Sequence, residues 1–332
     1  MEDRFGHRIS YLRVSITDRC NERCTYCMPQ ELQEWLPREE ILSFEETLRL
    51  IRIATALGVS KIRITGGEPL TRRDVVQFFR LLAQTGMREL GLSTNGTLLS
   101  REVAPGLTMA QAVRDCGFTS VNISLDTLDR DEYARVTGRD LLPAAIAGIE
   151  SALTAGFPQV KLNCVLMRGH NDQSLTNLVD FASERNLLLR FIELMPVSTT
   201  EVLTDENFFP VAEARRKIET KFGPLVPEPE FRTNGPASYY QIAGRNQRLG
   251  FIGAMTNLHF CESCNKLRLT CDGKLRPCLG SYLEFDILGP LRAGASDEEL
   301  RRFFLGVVER KPEQHDFRTN YRPGRKMVAI GG

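Results

Sequence analysis

Between residues 11 and 196 the chain alternates six times between a short apolar run and a longer helical pattern, which restricts it to a mostly parallel sheet covered by helices. YLRVSIT (11–17), KIRIT (61–65), ELGLSTNG (89–96), SVNISLD (120–126), QVKLNCVLM (159–167) and LLLRFIELMP (187–196) read as strands. Between them, 43–58, 71–86, 108–117, 141–156 and a segment around 174–186 carry apolar residues at helical spacing. Ser43/Glu46, Thr71/Asp74 and Thr108/Gln111 are spaced as helix caps. Periodicity does not choose between an open doubly wound sheet and a curved, incomplete barrel. Either one places functional loops beyond the carboxyl ends of the strands.

The pattern changes after about residue 200. A helix is expected around 205–222, then a Pro- and Gly-rich stretch (223–236), short strands at 238–244 and 248–254, and a hairpin over 267–279 turning at Asp272-Gly273. A helix over 296–311 with a Ser296/Glu299 cap and an extended tail complete the chain. The expected division is a main domain at 1–200 and a cysteine-bearing region at 201–332. A net charge of +1 gives no reason to expect a nucleic-acid or membrane partner. No apolar run approaches the roughly 18 residues of a membrane span. The start, MEDRFGHRISYL, has acidic residues and no apolar leader, so a cytoplasmic location is expected.

The nine cysteines are unevenly placed. Cys116 and Cys164 fall in a helix and a strand, where buried structural thiols are expected. Cys20, Cys24 and Cys27 form a C-x3-C-x2-C array directly after the first strand. Three close thiolates are incomplete for zinc but suit a four-iron cluster with one iron left for a cofactor. Spacing alone leaves a zinc knuckle or inert thiols open. At the end of the next strand, Gly66-Gly67 permits close backbone approach and Glu68 offers a charged acceptor for a group such as an amine.

Cys261, Cys264 and Cys278 form the second group, with His259 two residues before it. A Cys3His zinc site competes here with a second iron–sulfur cluster on spacing. Lys266, Arg268 and Arg276 surround these thiols and suit an anionic organic ligand. The chain has no G-x-x-x-x-G-K-[ST] loop, so phosphates would need dispersed side chains. Arg13, Lys61, Arg63 and Lys161 alternate with apolar residues inside the strands and can point into a barrel mouth.

The first cysteine loop, with an aromatic before its last Cys, and the Gly66-Gly67-Glu68-Pro69 turn resemble the radical S-adenosylmethionine superfamily. Within it, LRVSITDRCNERCTYCMP, KIRITGGEPLTR, LSTNG, VNISLD, RFIELMP, the second cysteine group and the final Gly-Gly resemble, in order, the GTP 3′,8-cyclase family, which opens molybdenum cofactor biosynthesis. The resemblance implies an incomplete (β/α)6 TIM-like barrel with a C-terminal cap, a homodimer and two [4Fe-4S] clusters. Cys20, Cys24 and Cys27 would hold the catalytic cluster, and Cys261, Cys264 and Cys278 one that binds guanine, leaving His259 an ordinary histidine. It assigns Tyr26, Gly66, Gly67, Ser124 and Met195 to S-adenosylmethionine, with Glu68, Asn163 and Arg190 in support. It assigns Arg13, Arg63, Thr94, Lys161, Lys266 and Arg268 to GTP, with Lys61 and Arg276. Lys266 stands where an Arg is commoner in the family, keeping the charge but losing the bidentate fork. Gly331 and Gly332 would thread into the site.

The implied reaction begins with an electron from an external donor and cleavage of S-adenosylmethionine. A 5′-deoxyadenosyl radical then takes hydrogen from C3′ of GTP, C3′ joins C8, and reduction with protonation gives 3′,8-cyclo-7,8-dihydroguanosine triphosphate. Cyclic pyranopterin monophosphate synthase would take the product onward. Two rivals are a two-cluster radical enzyme acting on a peptide, and a zinc-containing nucleotide-binding or scaffold protein.

Overall fold

The computed structural model describes residues 1–31, 34–200, 202–319 and 321–331. The six expected strands form as β1 (Tyr11–Ser15), β2 (Lys61–Thr65), β3 (Glu89–Thr94), β4 (Phe118–Ser124), β5 (Gln159–Leu166) and β6 (Leu188–Glu193). They pair in parallel in chain order, β1 to β6, without the reversal of a doubly wound sheet. Sequential order is the barrel's order. The sheet keeps two outer edges, which makes the barrel incomplete.

The helices following these strands are α1 (Phe44–Ala56), α2 (Val75–Ala83), α3 (Met109–Asp115), α4 (Arg130–Thr137), α5 (Leu142–Thr154), α6 (Leu175–Glu184) and α7 (Val211–Phe222). The Ser43 hydroxyl accepts from the Glu46 N–H at 3.1 Å while Glu46 accepts from the Ser43 N–H at 2.7 Å, completing the expected cap. Thr108 caps α3 as expected. Thr71 does not cap α2: its hydroxyl donates to the Glu68 carbonyl at 2.7 Å, and the helix starts only after left-handed Asp74. The short helix α4, capped by Asp129, is not among the sequence expectations.

Apart from a two-stranded ribbon of Glu102–Ala104 and Leu107–Thr108, the remaining strands are β7 (Leu225–Pro227), β8 (Ser238–Ile242), β9 (Arg248–Ile252), β10 (Lys266–Leu269), β11 (Lys274–Arg276) and β12 (Phe285–Asp286). They extend the same sheet to twelve strands rather than forming a separate layer. β9 joins β6 and β10 joins β1, both in parallel, and antiparallel strands finish each edge. Gly273 turns the β10–β11 hairpin at φ +68°. After α8 (Leu288–Arg292) and α9 (Asp297–Glu309), whose Ser296/Glu299 cap forms, the tail is not wholly extended but coils into α10 (Met327–Ile330).

Strand alternation sorts the side chains. Leu12, Val14, Ile62, Ile64, Leu92, Val121, Ile123, Leu162, Phe191, Leu267 and Leu269 enter the core between sheet and helices. Their neighbours Tyr11, Arg13, Lys61, Arg63, Asn122, Lys161, Asn163, Arg190, Lys266 and Arg268 face the lumen. Helix and sheet thus bury one apolar face and leave the concave face polar.

Candidate active site

The lumen holds a cavity of about 330 Å³ whose wall includes Cys20, Cys24, Cys27, Cys261, Cys264 and Cys278. The first group follows the carboxyl end of β1. The second does not follow the expectation of carboxyl-end loops: Cys261 and Cys264 precede β10, which runs parallel to β1, and Cys278 follows the returning β11. The two groups therefore meet one cavity from opposite ends of the sheet.

All six thiols are free and partly exposed. The first loop is pinned by Arg23 and Thr25 N–H groups donating to Thr137 and Val136 carbonyls at 2.6 and 2.9 Å. The Glu22 N–H donates to the Cys20 sulfur at 3.4 Å. Burial and then Glu68 push the Cys20 thiol up to about 12, and burial likewise raises Cys24 and Cys27. A metal must therefore displace protons here. At the second group burial takes Cys278 to about 11, whereas at Cys264 burial is outweighed by Lys311 and Lys266, which leave that thiol below its usual value. Among the described residues no three His, Cys, Asp or Glu side chains converge tightly enough to hold one ion. A four-iron cube takes its thiolates on separate irons, and three thiols opening on a cavity are the donor set it needs. His259 is 76% exposed and turns to Glu262, consistent with an ordinary histidine.

Near the first group, a Cβ at Gly67 would lie 2.4 Å from the Arg19 carbonyl oxygen, and one at Gly66 2.6 Å from that of Thr17. The glycines thus permit close approach to the cysteine loop itself. Glu68 is buried, its carboxyl raised to about 7 by that burial, and accepts from Thr94 Oγ1 at 2.9 Å, Asn95 N at 2.8 Å and Leu70 N at 3.0 Å. Thr94 lines the cavity but spends its hydroxyl on Glu68. Tyr26 donates to Asp126 at 2.7 Å. Ser124, Asn163 and Arg190 lie side by side across β4, β5 and β6, with Arg190 Nη2 donating to Asn163 Oδ1 at 2.5 Å. Met195 completes this part of the wall. Glu193 is spent on holding neighbouring backbone, accepting from Val211, Met255 and Thr256.

Cations dominate the rest. Burial and neighbouring Arg13 lower Arg268 to about 9, and burial followed by Arg190 lowers Lys161 to about 6. Burial also lowers Arg13, Arg190 and Lys266. Arg63 spends three N–H groups on Tyr11 Oη at 2.7 Å, Leu92 O at 2.7 Å and Ser120 Oγ at 3.0 Å. Lys61 pairs with Glu89 at 2.7 Å. Arg276 does not reach the described cavity wall, because Glu284 at 2.6 Å and the Ser281 carbonyl at 2.8 Å hold its guanidinium. Arg268 donates to the Gly331 carbonyl at 2.6 Å, which brings the tail to the cationic wall; Gly332 lies outside the described residues. Sequence reasoning missed Tyr11, between the ammoniums of Lys61 and Lys266, and Met327, whose sulfur is 3.6 Å from that of Cys27. It also missed Lys311. Tyr11 shares the strand alternation that exposed Arg13; the other two carry no local signal.

A model of the radical SAM superfamily matches residues 14–182, and one of Molybdenum Cofactor Synthesis C matches 187–317. Among solved structures, Streptococcus suis SuiB aligns with TM-score 0.60 at 15% identity, covering 95% of this chain and 68% of that one, a likeness of fold. Two curated relatives, each a GTP 3′,8-cyclase, cover 100% of both chains: that of Moorella thermoacetica at 44% identity and that of Thermodesulfovibrio yellowstonii at 43%. By this full-length match the chain belongs to the GTP 3′,8-cyclase family of radical S-adenosylmethionine enzymes.

Proposed function

We propose that the protein cyclises GTP to 3′,8-cyclo-7,8-dihydroguanosine triphosphate, the first step of molybdenum cofactor biosynthesis. The observation that carries this reading is the single cavity reached by a cysteine triplet from each end, with buried cations between them. Residues 1–200 supply the radical half and 201–332 the second cysteine group and tail. Cys20, Cys24 and Cys27 would hold a four-iron cluster, which would supply the electron for reductive cleavage of S-adenosylmethionine to the 5′-deoxyadenosyl radical. Glu68, Ser124, Asn163 and Met195 hold that cofactor against the first loop.

Arg13, Lys161, Lys266 and Arg268 take the triphosphate, whose negative charge offsets the repulsion among the arginines and favours the charged form of Lys161. Lys61 and Arg63, already engaged with Glu89 and Tyr11, shape the same wall. Cys261, Cys264 and Cys278 would hold a second four-iron cluster, which would supply an iron for the guanine. Fixing both ligands in register provides the proximity the hydrogen transfer needs, and the lumen excludes competing hydrogen donors. One electron is needed for cofactor cleavage and a second, with a proton, after C3′ joins C8. An external donor would supply both. A homodimer, a cytoplasmic setting and product transfer to cyclic pyranopterin monophosphate synthase complete the reading. Anaerobic protein reconstituted with iron and sulfide, then given dithionite, S-adenosylmethionine and GTP, should yield 5′-deoxyadenosine and a nucleotide isomeric with GTP. Mass spectrometry showing 5′-deoxyadenosine with GTP unchanged would sink the cyclase reading.

A further inference from the structure

Lys311, just beyond α9, is 2% exposed. Its Nζ donates to the Pro277 carbonyl at 2.5 Å and to the Lys266 carbonyl at 3.3 Å. Pro277 immediately precedes Cys278, and Lys266 lies two residues beyond Cys264, so one ammonium ties together the two segments that carry these cysteines. Its charge favours the thiolate form at Cys261, Cys264 and Cys278 alike.

Glu262, the carboxylate between Cys261 and Cys264, pairs with His259 at 2.5 Å. Among the described residues no carboxylate pairs with Lys311. A buried cation without a counter-anion is strongly unfavourable, and carbonyl dipoles only partly replace its hydration. Once a metal displaces their protons, the three sulfurs become a source of negative charge beside it. Three thiolates leave an oxidised four-iron cube with net negative charge, and reduction adds to it. Net charge and hydrogen bonds to sulfur are what set the potential of such a centre.

We propose that Lys311 is the internal counter-cation of the second cysteine group, positioning Cys264 and Cys278 and favouring the reduced state of the centre they hold; this rests on the four-iron reading above. The test uses full-length protein carrying Cys20→Ala, Cys24→Ala and Cys27→Ala, which isolates the second group. After anaerobic reconstitution, the midpoint potential is read by a dithionite titration followed by electron paramagnetic resonance. With Lys311→Met the ratio of reduced to oxidised centre at a fixed potential should fall about tenfold, a shift of about 59 mV for one electron. Lys311→Arg should restore most of it. If Lys311→Met assembles no centre, assembly in Lys311→Arg with an unchanged circular dichroism spectrum supports the same role. An unshifted potential in Lys311→Met, or equal loss of the centre in both variants, overturns it. Failure of the parent triple variant to take up iron at Cys261, Cys264 and Cys278 refutes the four-iron reading itself, before any Lys311 variant is compared.

Discussion

Lys161 faces Arg63, Arg190 and Lys61 in the lumen, with Glu89 the carboxylate acting in its favour. Burial and these neighbours depress it to about 6, so in the ligand-free protein it is mostly neutral at pH 7. A triphosphate reverses the balance, since the charged form gains the attraction. GTP binding near pH 7.5 should therefore take up close to one proton, a value in keeping with about one titrating lysine. Calorimetry in two buffers of different ionisation enthalpy measures it, and Lys161→Met should abolish the uptake. The sign for stability follows: the unfolded chain binds the proton up to the ordinary lysine range, so the ligand-free fold gains stability from this group as pH rises above about 6. That Lys161 faces a cavity was legible, because a cation alternating with Val160 and Leu162 in a buried strand has only the other face to occupy. Which cations meet the cavity was not. Arg276 and Arg268 are cross-strand partners, yet Glu284 captures one and the Gly331 carbonyl the other, and both captors lie outside their strands.

The strands and most helices were readable because each is specified within its own dozen or so residues by hydrophobic period and caps. Pairing was not, because it depends on partners far along the chain; β10 sits beside β1 and β9 beside β6, which no local pattern encodes. The same distinction governs the turn after β2. As a sequence, Gly66-Gly67 suggests room for a ligand; folded, it is the seam between that turn and the cysteine loop, with the Gly67 N–H donating to Thr17 O and the Glu68 N–H to Arg19 O, both at 2.8 Å. A methyl at Gly67 would meet the Arg19 carbonyl carbon at 2.7 Å, and backbone cannot rotate aside as a side-chain tip can. Gly67→Ala should lower stability by about 1–3 kcal/mol through overpacking. It should also displace Cys20, so that iron bound after reconstitution falls toward the content of the second group alone. Chemical denaturation and iron analysis measure the two effects. Wild-type iron content with full S-adenosylmethionine cleavage would show that the seam does not position the cluster loop.

One cavity reached from both ends of the strands gives room to separate two tasks that a single-ended site would merge. The first group lies by the carboxyl ends with Glu68, Ser124 and Met195; the second lies by the amino ends, where Lys61 and Lys266 begin their strands. The tail reaches both. The Asp316 N–H donates to the carbonyl of Gly280, two residues past Cys278, at 2.6 Å; Arg325 then pairs with Asp272 at 2.7 Å, the Met327 N–H donates to the Cys27 carbonyl at 3.1 Å, and the Gly331 carbonyl rests on Arg268. A left-handed φ of +74° at Gly331, with a Cβ position 2.9 Å from Thr65 and 3.0 Å from Ser15, leaves no room there for a side chain. If the ends act on different ligands, removing one cysteine from each has unlike effects. Cys24→Ala should abolish 5′-deoxyadenosine formation and cyclisation together. Cys264→Ala should retain cofactor cleavage while losing most of the cyclised nucleotide, because GTP is then held by its phosphates alone and C3′ is no longer fixed. Chromatography of both products from the same anaerobic reaction measures their ratio. Equal loss of both products in Cys264→Ala would mean that the two ends serve one ligand, and the separation of tasks along the lumen would fall.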